Sequence, residues 1–212
     1  MLWVENFQEG LVAYLRDRRW FFLFLIVVLS AGVVAGSALA GTLTGDVQQQ
    51  LGSYLGGFLR SLGGAEVPAS PEILRWSLAQ NLRTAGFLWL LGVTVVGFPG
   101  VLAVVFMRGL AVGFTVGFLT KELGVRGVVL ALAAVLPPNL LVVPAMLVIG
   151  CASLSFSLLL FRNRFGHEPM AFYQEIAGYT LLVVATSGLL VGASLVEAFV
   201  TPSLVRLAAG LL

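Results

Sequence analysis

The chain has 212 residues, of which 59% are hydrophobic and only 10% charged. Soluble domains carry roughly 45–50% apolar and about 25% charged residues, so this balance excludes an ordinary water-borne fold and places the chain in a bilayer. A net charge of +2, with basic residues scattered singly, excludes a nucleic-acid surface, and the single cysteine, Cys151, excludes a disulfide framework and predicts a buried thiol.

In chain order, Trp3, Phe7, Leu11 and Tyr14 or Leu15 recur at helical spacing, which predicts a cytoplasmic amphipathic helix over 1–19. Trp20 to Leu43 follows as 24 charge-free residues, against the ~20 that cross a ~30 Å hydrocarbon core. Ala38, Leu39 and Ala40 before Gly41 resemble a signal-peptidase site. The stretch from Trp20 to Ser37 nevertheless exceeds the usual ~7–15 residue hydrophobic region, so an uncleaved anchor is expected.

The segment 44–80 is expected outside the membrane on the far side. Its Val47, Leu51, Tyr54, Leu55, Phe58, Leu59 and Leu62 share one helical face, an interfacial helix ended by Gly63 and Gly64. That face either covers the bundle or docks a partner. Ser70 as N-cap, Pro71 at the first helical position and Glu72 near the positive helix end predict a new helix running into the second apolar run.

The remaining charge-free runs are Thr84 to Met107 (24 residues), Gly127 to Phe161 (35) and Ile176 to Val196 (21). Arg16, Arg18 and Arg19 before the first run, and Arg162 and Arg164 after the long one, place both flanks in the cytoplasm. Five spans then fit, with the carboxy terminus outside and a turn at Arg108 leading into a short third span from Gly109 to about Leu123. A re-entrant hairpin over 109–136 is the alternative, with four full spans. The expected fold class is all-α: one integral membrane domain over 1–212, a polytopic helical protein of about five transmembrane helices with proline-broken segments and flanking interfacial helices.

Two interruptions are expected. Pro137, Pro138 and Pro144 free the carbonyls of Ala133, Ala134 and Leu140, so the helix is predicted to break near Leu136, with Asn139 as the local donor. Pro99, beside Gly100, predicts a second break. Small residues in register mark packing faces: Gly32, Gly36 and Ala40; Gly109, Gly113 and Gly117; Gly188 and Gly192. Packing within the chain is the simpler use of each stripe, and a homodimer or partner face is the other. Arg108 is either a boundary residue or a buried charge meeting carbonyls freed by a break.

Catalysis is poorly supplied. His167 is expected in a loop, Asp17 and Asp46 fall on opposite membrane sides, and neither a metalloprotease motif, a serine elbow nor a phosphate-binding glycine loop is present. No acid–base pair, metal or cofactor is implied.

Two stretches, GVTVVGFPGVLAVVFMRGLAVGFTVGFL over 92–119 and LPPNLLVVPAMLVIGCASLSFS over 136–157, resemble the stage II sporulation protein M family, and the likeness extends over nearly the whole chain. The broader superfamily often carries His-Gly and a glutamate where this chain has Pro138, Asn139 and Val142, a departure that argues against inherited proton or ion chemistry. The resemblance implies a non-enzymatic scaffold in the mother-cell membrane at the sporulation septum. Its implied partners are a lytic transglycosylase and an amidase-type peptidoglycan hydrolase, docked on 45–80, with membrane lipid around it. A small permease is the competing expectation.

Overall fold

A computed structural model describes residues 19–43, 45–62, 71–94, 97–165 and 172–210. The amino-terminal amphipathic helix, Asp17 and His167 lie outside the described residues. Seven α-helices follow in order among those described: α1 (Arg19–Thr42), α2 (Asp46–Leu62), α3 (Pro71–Val93), α4 (Gly97–Leu123), α5 (Val125–Phe165), α6 (Phe172–Leu195) and, after a π-turn at Val196–Val200, α7 (Thr201–Gly210).

Four helical stretches are long and apolar enough to cross a membrane: Arg19–Thr42, Gly97–Leu123, Val125–Phe161 and Tyr173–Ala208. α3 is the fifth long helix, 23 residues or about 35 Å, but Glu72, Arg75 and Arg83 interrupt its apolar character. It runs beside α5, from Trp76 and Pro138 at one cavity to Thr94 and Ser157 at its end, and antiparallel to α6. The alternation of direction puts the amino end of α1 and the α7 end at opposite ends of the bundle. The two sides are called here the Arg19 end and the Thr42 end.

The turn between the second and third crossings is not at Arg108. The run expected as one span, Thr84 to Met107, is divided at Thr94, and α4 is a single 27-residue helix in which Arg108 is an interior residue. Neither the short third span nor the re-entrant hairpin is present: α4 and α5 are continuous helices joined at Gly124, whose φ of +60° suits a residue without Cβ. Pro99 falls in the first turn of α4, where a missing N–H leaves no helical bond unmade.

α5 does not end near Leu136. It runs 41 residues, about 60 Å, with Pro137, Pro138 and Pro144 inside it. Each proline deletes one backbone bond, while the bonds of neighbouring turns persist; the apolar surroundings offer the other backbone groups no better partner than the helix itself. Asn139 donates to the Val135 carbonyl at 2.7 Å, not to the carbonyls that the prolines free.

The tightest pairing joins the first two glycine stripes to one another. α1 and α4 lie parallel, so that Leu29 meets Gly109, Val33 meets Gly113 and Ser37 meets Gly117. A Cβ on Gly32 would strike the Phe106 carbonyl, and one on Gly36 the Leu110 carbonyl. Between these helices, lacking any hydrophobic drive in lipid, close backbone contact is the attraction that remains. Lys121 closes the pair by donating to the Gly41 and Leu43 carbonyls at 2.9 and 2.8 Å, which the end of α1 leaves without helical donors. The third stripe is different: nothing lies within 4 Å of a Cβ on Gly188, and Gly192 reaches only the Leu141 side chain at 4.0 Å. Cys151 is fully buried, as expected, in the main apolar core with Leu25, Val101, Ile149 and Leu154.

α2 covers part of the Thr42 end. Gln48 Nε2 donates to Glu122 at 2.6 Å, and Leu55 packs on a small cluster formed by Leu119, Leu130, Ala131, Val205 and Ala208. Pro71 to Gln80 forms the first turns of α3, the helix start expected from Ser70, Pro71 and Glu72.

Candidate functional site

Between α3, α4, α5 and the π-turn lies a cavity of about 270 Å³, bordered by Ser77, Asn81, Arg108, Thr115, Asn139 and Glu197. Its position is unusual for such side chains. Arg108 lies 11 residues past Gly97 and 15 before Leu123, about 16 and 22 Å along the axis, so the guanidinium starts from the middle of a membrane-length helix. A cation there requires polar partners. Nη2 of Arg108 donates to Asn139 Oδ1 at 2.9 Å, Nε is buried and makes no hydrogen bond among the described residues, and the Glu197 carboxylate attracts the charge across the cavity.

Glu197 is itself held. Ser77 donates to its Oε2 at 2.6 Å, and Asn81 donates to Ser194 at 3.0 Å, which ties α3 to the end of α6. Glu197 sits inside the π-turn, and the local sequence explains the widening. Pro202 has no N–H for the Ala198 carbonyl, while the Thr201 N–H and hydroxyl both turn back to Val196, five residues earlier. The extra residue in this turn alters the face on which α6 would otherwise present its side chains.

A second polar cluster, nearer the Arg19 end, stabilises the α3–α4 junction. Hydroxyls of α5 and α6 reach across to the last turns of α3: Ser153 Oγ lies 3.0 Å from the Leu88 carbonyl, Tyr179 donates to the Trp89 carbonyl at 3.0 Å, and Ser157 donates to the Thr94 carbonyl, just past the helix end, at 2.9 Å. Tyr179 also stacks on Phe156 at 4.9 Å and sits against Gly92, where a Cβ would strike its hydroxyl. Tyr179→Phe should therefore lower stability by about 1–2 kcal/mol, read as a drop of several degrees in thermal unfolding in detergent. An unchanged midpoint would remove the hydroxyl from this account.

The structure brings Arg108, Pro138 and Asn139 to one cavity and separates them from Pro99 and Gly100, which belong to the junction, and from Pro144, farther along α5. Arg108 thus matches the buried-charge reading, although its partner is an amide side chain and not a freed carbonyl. Of the docking candidates, Val47 and Tyr54 are exposed, Leu51 and Leu55 are half-buried, and the side chains of Phe58, Leu59 and Leu62 lie outside the described set. Sequence reading missed Ser77, Asn81, Ser194 and Glu197. Their signal was polar spacing, Ser77 with Asn81 and Ser194 with Glu197, one helical turn apart.

Among the described residues no three His, Cys, Asp or Glu side chains converge to hold a metal. What the geometry defines is a polytopic helical membrane protein, closely packed through glycine and carrying a polar cavity at depth. The family model for Stage II sporulation protein M matches residues 21–202, and the chain belongs to that family. It is a sporulation-family, multi-pass membrane protein. No curated protein and no solved structure gives a match.

Proposed function

We propose that the chain is a non-enzymatic scaffold of the engulfment machinery, holding a lytic transglycosylase and an amidase-type peptidoglycan hydrolase at the septal mother-cell membrane. The observation that carries this reading is α2. It is fastened to the bundle by Gln48 and Leu55 while Val47 and Tyr54 stay exposed, 50% and 79%, at the end assigned to the outside. A platform of this kind raises the local concentration of partners without altering their chemistry.

The competing permease reading draws on the polar cavity. It needs a passage to both sides, and toward the Arg19 end the cavity gives way to a layer of buried Leu25, Val101, Val105 and Ile149. This closure favours the scaffold.

Removal of residues 45–62 in sporulating cells should disperse both fluorescently tagged hydrolases from the septum, with their activity on isolated peptidoglycan unchanged. If both enzymes still co-purify with the shortened chain and stay at the septum, α2 is not the platform.

A further inference from the structure

A second cavity, about 490 Å³, adjoins the first and shares Gln80, Arg108 and Ala111 with it. Together they form one groove that opens sideways between α3 and α4. Its α3 wall presents Trp76, Gln80, Arg83 and Phe87, and its α4 wall presents Met107 and Ala111. Trp76, Phe87 and Met107 are 69%, 56% and 59% exposed, so the groove faces the surroundings of the bundle and not its core.

The charge in this groove is unbalanced. Arg83 and Arg108 contribute two positive charges and Glu197 one negative. Glu197 already accepts from Ser77, whereas Arg83 is exposed and makes no hydrogen bond or ion pair among the described residues. Arg83 is also deep. It stands 12 residues after Pro71 and 10 before Val93, about 18 and 15 Å from the two ends of its helix. An arginine at that depth on a lipid-facing surface is costly, and a negative partner would offset it.

We propose that this groove receives a transmembrane helix of another protein, bearing an aspartate or glutamate near its middle that pairs with Arg83 beside Arg108. Depth selects this occupant. A phospholipid phosphate lies near the edge of the ~30 Å core and would have to sink roughly 15 Å to reach Arg83, whereas a spanning helix carries its carboxylate to that level by its own length. A second copy of the chain does not meet the need among the described residues. Glu72, Glu122 and Glu175 lie in the terminal turns of their helices, and Glu197 is engaged in the cavity. Small Ala103 and Ala111 on the α4 wall leave room for a helix backbone to approach.

This partner assignment rests on the scaffold reading, since it is the membrane segment of a recruited protein that would fill the groove. The test uses the full chain in phosphatidylcholine bilayers with a synthetic leucine–alanine spanning peptide carrying one central glutamate, and the same peptide with glutamine, paired by fluorescence energy transfer. The glutamate peptide should associate at least tenfold more tightly, and Arg83→Gln should abolish that preference. Arg83 is exposed, so the variant should unfold at the parent temperature. Equal association of the two peptides, absence of association, or a preference that survives Arg83→Gln overturns the proposal. So does displacement of the glutamate peptide by phosphatidylglycerol, with lipid retention that is lost in Arg83→Gln; the groove would then belong to anionic lipid. Any of these outcomes beside a positive α2 deletion result would remove the groove as a docking site and leave the scaffold standing.

Discussion

Gly113→Leu should prevent the bundle from assembling as it stands. A Cβ at Gly113 would meet the Val33 carbonyl, and Gly109 and Gly36 are equally close to backbone of the facing helix. Backbone cannot rotate aside as a side chain does, so the cost is expected at the upper end for over-packing, about 3 kcal/mol or more. Thermal unfolding in detergent should fall by on the order of 10 °C, with loss of the monodisperse peak on gel filtration. Gly188→Leu is the paired control. Its surroundings are open within the chain, so it should leave the midpoint unchanged. Equal behaviour of the two variants would mean that α1 and α4 are not held by backbone approach.

Arg108→Met is expected to be the next most damaging change. It removes the donor to Asn139 and takes away the positive charge beside Glu197, which keeps only the Ser77 hydroxyl in the cavity. Leaving a polar group at membrane depth without its partner costs on the order of 1–3 kcal/mol, and more for a charged group. Adding Glu197→Gln should therefore restore a large part of the stability lost in Arg108→Met, a coupling that a double-mutant cycle on unfolding midpoints would measure. Additive losses would show that the two side chains do not interact. Full stability of Arg108→Met alone would show that the cavity bears no structural load.

The helical class and the polytopic membrane character were legible because they depend on composition and on the lengths of apolar runs, whereas among the described residues four stretches, not five, are apolar enough to cross. The pairing of Gly32 and Gly36 with Gly109 and Gly113 was half legible: the stripes were visible, but not that they would meet each other. Charge misled the reading at Arg108. An arginine between apolar runs reads as a boundary, and only the fold supplies Asn139 from 31 residues away. The start of α3 was legible from Ser70, Pro71 and Glu72, but Arg75 and Arg83 kept its first half outside the membrane on paper, and Glu197 was hidden at the edge of the last run. Proline misled it at Pro137 and Pro138, because a lost backbone bond is a local penalty while helix continuity over 41 residues is fixed by every other turn.

The parallel pairing of α1 with α4 also constrains biogenesis. α1 has the most apolar window of the four spans, mean hydropathy 2.5 with 17% of it buried, and suits a segment that must wait in lipid as the ribosome makes the roughly 55 residues separating it from α4. α3 emerges during that wait and, with Glu72, Arg75 and Arg83, is less apolar than the four spans. It packs on α4, α5 and α6, all synthesised after it, so the contacts that hold it in the bundle form only once the later chain has emerged.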